Sequence, residues 1–502
     1  MTLSNLSAAY LGTLPVTPNN RNQLATRLAL YDSLWDSMLN AIAEGAAANG
    51  VTDDYAVLQA ALTYLGTLTS GGTLYMPRGV YYHSAPLKVP SKVRVVGAGA
   101  GLSVLLAPTG GSYATNVAEN GTNMYASIGC VGRNHVRFEG FTVDHTTNAL
   151  AGNGIVAIPT TEFAGTVCTD ITIADCEVLG RNSSTGYLIW TMRGQRVKIT
   201  GNHCDGTYTS IDGTSTQEGI EVFGGYEVQV TGNSVRRIGN AGINLGASNN
   251  YADSECVGLI VANNNIEGCN YGVYAGTAAN SGTAQNIKHS LIESNTIRNS
   301  YTDGIRLSRQ AVAGTQFYNV RVAGNVIDAA VVGIQCYGRS DETATNRGVT
   351  IEDNVVSNAT TTALGGIAII YEGNATVRGN TVTDGSGYGI YCQLANDLVI
   401  SGNTVDQVQK SGGYVTDCDR ISVENNTFKG HSLAGAQTYA GLLVINSDDH
   451  VVGGNKFKRA TGYTEVNIAD TCARGTLRKN YKLYDSAYAT PWVNSSVGGT
   501  TE

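Results

Sequence analysis

A short pattern, apolar-x-apolar-x-Gly/Asn-Asn-x-apolar, recurs along the C-terminal three quarters of this 502-residue chain and restricts what it can fold into. It reads ITGNHC from Ile199, VTGNSV from Val230, VAGNVI from Val322, VRGNTV from Val377, ISGNTV from Ile400 and VGGNKF from Val452. The Asn falls at Asn202, Asn233, Asn264, Asn295, Asn325, Asn354, Asn380, Asn403, Asn426, Asn455 and Asn480, at intervals of 23 to 31 residues, with Cys176 and Phe141 in the same place earlier. Such periods belong to solenoids and arrays.

Within each repeat apolar and polar residues alternate at period two, Val, Ile and Thr dominate, and the run breaks at Gly and Asn, so each repeat reads as short strands joined by turns. Strands of this kind cannot bury their inward faces alone. Stacking successive coils in parallel, about 4.8 Å apart, closes a continuous core. The expected fold is all-β, a parallel β-helix. Asn tolerates a left-handed turn and its amide can bond the Asn of the next coil, so the Asn row is expected to be a structural ladder. A second repeat sets the register: Gly219-Ile-Glu-Val, Gly242-Ile-Asn-Leu, Gly272-Val-Tyr-Ala, Gly304-Ile-Arg-Leu, Gly333-Ile-Gln-Cys, Gly366-Ile-Ala-Ile, Gly389-Ile-Tyr-Cys and Gly441-Leu-Leu-Val. Alternation sends Ile220, Val222, Ile243, Leu245, Ile305, Leu307, Ile334, Cys336, Ile390 and Cys392 inward and the residue between each pair outward.

Composition agrees. The 62 glycines and 14% charged residues suit many tight turns around a packed interior. The unbroken repeat argues for one solenoid over 49–483, with an N-terminal piece at 1–48 and a tail at 484–502. Ten cysteines show no C-x-x-C pair, and Cys176, Cys336 and Cys392 fall on core or turn positions, so most are expected to be buried free thiols, with disulfides left open. No Asp/Asn cluster has calcium-loop spacing and no His/Cys grouping suits zinc, so neither metal nor cofactor is implied. A net charge of −8 disfavours nucleic acid and anionic membranes as partners, but not an acidic polysaccharide met by local arginines. Met1–Tyr10 lacks a basic start and an apolar run, and no 18 apolar residues follow one another, so no membrane insertion is expected. The chain reads as made and kept in the cytoplasm, or exported without a Sec signal.

The N-terminal piece differs. Leu24, Leu28, Tyr31, Trp35, Met38 and Ile42 are spaced 4, 3, 4, 3, 4, which predicts a helix with a coiled-coil-like seam, either a cap on the first coil or a subunit contact. A second helix is predicted over Tyr55–Leu62, where Asp53 and Asp54 can cap its start.

The stretch Gly50-Val-Thr-Asp-Asp-Tyr-Ala-Val-Leu-Gln-Ala-Ala-Leu62, followed by Gly71-Gly-Thr-Leu-Tyr-Met-Pro-Arg-Gly-Val-Tyr81 and Val93-Arg-Val-Val-Gly-Ala-Gly99, resembles the opening segment of the pectate-lyase-like β-helix superfamily, which includes bacteriophage tailspikes, polygalacturonases and alginate epimerases. The resemblance implies a single-stranded right-handed parallel β-helix with N-terminal helices capping the first coil. Together with the missing secretion signal it resembles a phage tailspike or depolymerase. That implies a homotrimer on the virion, made in the host cytoplasm, joined to a phage tail or baseplate through its N-terminus and acting on bacterial polysaccharide. Secretion without a visible signal peptide is the alternative location.

Chemistry is expected on the outward rows. The first gives Glu221, Asn244, Tyr274, Arg306, Gln335, Ala368 and Tyr391; two residues on lie Phe223, Gly246, Gly276, Ser308, Tyr337, Ile370 and Gln393. Acid, amide, cation and rings in line suit a glycan, because rings stack on sugar faces while polar ends bond hydroxyls. Asn244, Tyr274, Arg306, Gln335, Tyr337 and Tyr391 are the candidate substrate-binding residues, with Gly246 and Gly276 leaving a groove. The same rows also read as an ordinary solvated sheet face. Glycoside hydrolysis needs two carboxyl groups. Glu218 and Glu221 in Gln217-Glu-Gly-Ile-Glu221 are the candidates, with Asp205 and Asp212 nearby. Tyr301-Thr-Asp-Gly-Ile305 resembles the Asn-Thr-Asp-Gly motif of polygalacturonases, which implies Asp303 as a catalytic acid. Gly430-His431, 127 residues further on, stands too far away to complete that family's order. A uronate lyase or epimerase would instead use Tyr274 or His145 as base and Arg306 or Arg339 as cation. An endo-glycosidase, a lyase or epimerase, and a non-catalytic glycan-binding β-helix are thus the readings carried forward.

Overall fold

The computed structural model describes residues 37–501, apart from 109–117, 120–121, 124–125, 148–151, 161–164, 181–185, 248–254, 278–285, 310–315, 339–346, 434–438, 459–465, 469–471, 483–491, 495–499 and scattered single positions. Among the described residues the chain is a parallel β-helix with a single α-helix, at Tyr55–Thr67. Three ladders of short strands run along it. One ladder is a 16-stranded sheet, and the other two belong to a 33-stranded sheet. The long strand Tyr187–Thr200 shows how two ladders share a sheet: its first part pairs with Glu218–Tyr226 and its last with Gln229–Thr231, so it rounds a corner without a break. Every strand pair is parallel except a two-residue hairpin of Ala118–Glu119 with Thr122–Asn123.

The inward residues read from the sequence are buried, and one apolar cluster runs from Ala41 to Cys472. The Asn row is a hydrogen-bonded ladder inside the turns. Asn295 donates from its backbone N and Nδ2 to Asn325 Oδ1 at 3.0 and 2.9 Å, and Asn325 donates in the same way to Asn354. From Asn202 to Asn455 each Nδ2 also bonds a carbonyl of the preceding coil, such as Ile292 O at 2.9 Å from Asn325. Turn donors that would otherwise be orphaned are satisfied by this row. All ten cysteines are buried and none is in a disulfide.

At the N-terminus the helical seam lies outside the described residues as far as Asp36. Its end is a correction: Met38–Asn40 is a strand paired in parallel with Gly72–Met76, and Ile42 follows in an exposed turn. Sheet hydrogen bonds, such as Thr73 N to Ser37 O at 2.6 Å, override the helical spacing there. The second predicted helix forms and extends to Thr67, burying Leu58, Ala61, Leu62 and Leu65 over the first coil. Asp53 caps it, accepting from Tyr55 N at 3.0 Å. Asp54 turns back to accept from Ala47 N and Ala48 N. At the other end pairing continues past residue 483: Trp492–Asn494 pairs with Val466–Ile468 and Thr500–Thr501 with Thr476–Leu477, within the piece read as a tail.

Candidate active site

The outward row aligns as expected. Glu221 stands beside Asn244, Asn244 beside Tyr274, Tyr274 beside Arg306, Arg306 beside Gln335, Gln335 beside Ala368, and Ala368 beside Tyr391. A break in the alternation adds a third row. Gly219 faces inward: a Cβ there would lie 2.6 Å from Val235 Cγ1 and 2.4 Å from Gly242 O, a space only glycine tolerates. Because Gly219 and Ile220 both face inward, Glu218 and Glu221 emerge on the same outer face three residues apart. The same device at Gly272 and Gly304 pairs Tyr271 with Tyr274, whose ring centroids are 5.2 Å apart, and Asp303 with Arg306.

Glu218 and Glu221 are 5% and 3% exposed, yet their environments differ. Glu218 meets only donors: Asn240 Nδ2 at 2.7 Å and Asn244 Nδ2 at 3.2 Å on Oε1, and Ala241 N at 2.8 Å on Oε2. Among the described residues no donor reaches Glu221 Oε2. Burial pushes both carboxyls above the usual range, and the charge of Glu218 pushes Glu221 further. Two such groups retain one proton between them well above the pH at which an isolated carboxyl ionises. The three donors favour the anion at Glu218, so the proton belongs on Glu221.

Arg306 lies between two rings, its Cζ 5.6 Å from the Tyr271 centroid and 5.8 Å from that of Tyr337. Its Nη1 reaches Asp303 Oδ2 at 3.3 Å and Tyr271 Oη at 3.5 Å, and its Nε has no partner among the described residues. Burial raises the Asp303 carboxyl to about 6, and Arg306 opposes that rise. Burial also raises the Tyr274 phenol, against the pull of a Ser308 hydrogen bond and Arg306. The expected groove at the small residues is corrected. A Cβ on Gly246 would lie 3.1 Å from Glu221 Oε1, and one on Gly276 would lie 2.5 Å from Tyr274 Cε1. Neighbouring side chains fill these spaces.

The wall is not one continuous polar strip. Ala126, Val131, Val156, Ile158 and Met192 pack outside the coil with Trp190 and Phe223. Beyond Gln335, which is 5% exposed, Val332, Ala368 and Ile370 pack with Tyr337 and Tyr391, so outward Ala368 is fully buried. The acidic site sits between these apolar clusters, which accounts for its desolvation. Tyr391 belongs to a separate tyrosine group further along the wall.

Other candidates fall elsewhere. Asp205 is buried and held as an anion by Arg236 and Arg237. His145 follows the strand Thr142–Asp144 of the 16-stranded sheet, with Nε2 2.7 Å from Ser127 Oγ, and burial lowers it to about 3. Asp212 and Arg339 lie outside the described residues. Asn240, Tyr271 and Lys410 were missed; each lies before the glycine of its coil, Gly242, Gly272 and Gly412, and the alternation points to the residues after it.

With this geometry in place, comparison with known proteins finds two likenesses. A family profile described as "Rhamnogalacturonase A/epimerase, pectate lyase-like" matches residues 38–274, and one described as "Right handed beta helix region" matches 342–473. This chain is a parallel β-helix similar to the pectate-lyase-like family over its first matched stretch. No curated protein sequence matches it. Among solved structures, the family 28 exopolygalacturonase of Yersinia enterocolitica is 12% identical with a TM-score of 0.51, covering 86% of this chain and 78% of that one. The pre-mature gene product 12 of bacteriophage phi29 is 14% identical with a TM-score of 0.51, covering 91% of this chain and 56% of that one, so this β-helix spans little more than half of the phage protein. At such identities the likeness is one of fold.

Proposed function

We propose that this pectate-lyase-like β-helix is an endo-acting glycoside hydrolase of bacterial surface polysaccharide. The observation that carries the proposal is the unequal carboxyl pair: a Glu218 held by three donors beside a desolvated Glu221 whose Oε2 meets no donor among the described residues. Glycoside hydrolysis needs one neutral acid and one carboxylate. Glu221 protonates the glycosidic oxygen as the bond to the anomeric carbon breaks. Glu218 stabilises the developing positive charge, and either attacks that carbon or takes a proton from the attacking water. Asn244, which bonds Glu218 and also reaches Glu221, ties their positions together. Arg306, Tyr271, Tyr274 and Tyr337 offer rings and a cation to the sugar, and Asp303 holds Arg306 in place.

On this reading the chain acts as a tailspike-like depolymerase, a homotrimer carried on a phage tail through its N-terminal segment. The fold shared with a phage protein supports that association. A lyase is less well supported, because burial moves the Tyr274 phenol away from the range of a working base. The test is reducing-end release from a panel of capsular polysaccharides and O-antigens, with ultraviolet absorbance followed in parallel. Reducing ends without absorbance are expected. Absorbance from an unsaturated uronate would make it a lyase, and binding without either signal would make it a lectin-like wall.

A further inference from the structure

Beyond the carboxyl pair, the same wall carries a second constellation that the hydrolytic mechanism does not use. Tyr391 lies three coils past Arg306 and six past Glu221, about 14 and 29 Å at the strand spacing. Tyr391 and Tyr414, adjacent in register, stack with centroids 5.4 Å apart and planes 12° apart. Tyr388 sits 4.7 Å from Tyr414 and 5.5 Å from Tyr391, and Tyr439 closes one side edge-on at 6.3 Å and 89°. Lys410 Nζ lies 4.9 Å from the Tyr388 centroid and 5.7 Å from that of Tyr439. Lys288, the other lysine over a tyrosine ring among the described residues, is neutralised by Glu255 at 2.8 Å. No carboxylate approaches Lys410 among the described residues. Tyr391 Oη bonds Gln393 Oε1 at 2.9 Å, which leaves the Gln393 amide nitrogen to donate elsewhere.

We propose that Tyr388, Tyr391, Tyr414 and Tyr439 with Lys410 form a second sugar-binding site, which takes an anionic sugar unit of the polysaccharide held at the carboxyl pair. The inference rests on the glycan-cleaving reading of that pair and adds the charge of the substrate. Rings supply faces for the apolar side of a sugar, and a half-buried ammonium with no acid beside it meets a carboxylate at lower desolvation cost than a solvated lysine would. Arg306 stands at the carboxyl station but is paired with Asp303 at 3.3 Å, so the charge that an acidic chain meets unopposed lies at Lys410. The apolar cluster around Ala368 separates them.

The test uses the full chain carrying Glu221→Gln, so that binding is read without cleavage. Calorimetric titration with capsular polysaccharides is compared with titration of the same polymers after carboxyl reduction. Binding of the acidic forms is expected to exceed that of the reduced forms. Adding Lys410→Gln is expected to weaken the acidic forms about tenfold, as one charge-assisted contact is lost, and to leave the reduced forms unchanged. Lys410→Arg is expected to restore binding, and matched urea midpoints show that the variants fold. Equal binding of acidic and reduced polymers, or no effect of Lys410→Gln in a folded protein, overturns the second site while cleavage by the parent chain keeps the hydrolase. Failure of the parent chain to bind or cleave any polymer overturns both.

Discussion

Replacing each carboxyl of the pair by its amide separates the two roles. All three partners of Glu218 are donors, and an amide keeps only one oxygen. If that oxygen faces Asn240 and Asn244, the new NH2 faces Ala241 N, whose buried N–H loses its acceptor; the reverse orientation strands two donors. One orphaned buried donor costs about 1–3 kcal/mol. At Glu221 the amide strands no donor from Oε2 and removes a charge that burial and Glu218 both oppose. The pH dependence follows from the upward shifts. A carboxyl whose folded pKa is raised contributes stability that is complete below the unfolded value near 4.5 and is lost as pH rises through the folded value. The parent chain therefore weakens as pH rises from there through neutrality, and Glu221→Gln removes part of that slope. In urea unfolding at pH 7, Glu218→Gln is expected to fall below Glu221→Gln by about 1–3 kcal/mol, and both should lose about 10²–10⁴-fold in reducing-end release. A Glu218→Gln protein more stable than Glu221→Gln would reverse the role assignment, and unaltered turnover by Glu221→Gln would remove that residue from the chemistry.

Further outcomes follow from the same structure. Asn325→Ala removes the acceptor of Asn295 N and of one Asn295 Nδ2 hydrogen, whose other hydrogen keeps Val261 O, and the donor to Ile292 O, and urea unfolding should show a loss of about 3–6 kcal/mol. Glu372→Ala takes a carboxylate from the fully buried Arg309 and should cost about 3–5 kcal/mol, most of it recovered by the double change Arg309→Met and Glu372→Leu. Asp303, raised from 3.8 to about 6, should make the parent lose about 3 kcal/mol relative to Asp303→Asn as pH rises from 3 to 7, read from paired unfolding curves. Arg306→Met should raise KM for polysaccharide more than it lowers kcat, because it removes a sugar contact and leaves the carboxyl pair intact; a pure kcat loss would contradict this.

Much of the fold was legible because a solenoid repeats the same demand at each coil. The Gly-Ile-x-apolar runs fix which residues face inward, and that alone placed Glu221, Asn244, Tyr274 and Arg306 side by side. What escaped lay where strict period two fails. Gly219 adds a second inward residue, so Glu218 joins Glu221 on the wall; the sequence brought them near a strand start without showing why. Tyr271 precedes Gly272 in the same way, and Asn240 lies in the bend just before the strand Ala241–Ala247, so neither belongs to the alternating run. Ala368 counts as outward by register, but tyrosines packed over it make it buried, a contact between segments that no local pattern encodes. Met38–Asn40 carries helical apolar spacing, yet a partner strand more than thirty residues later claims its backbone.

The most direct measurement is a crystal structure of Glu221→Gln soaked with an oligosaccharide cut from the polysaccharide that the parent chain degrades. Sugar density is expected on the outer wall, with a glycosidic oxygen beside residue 221, an anomeric carbon toward Glu218 and a ring against Tyr271 or Tyr337. Density on the 16-stranded sheet or on the turns behind it, with the wall around Glu218 bare, would contradict the account.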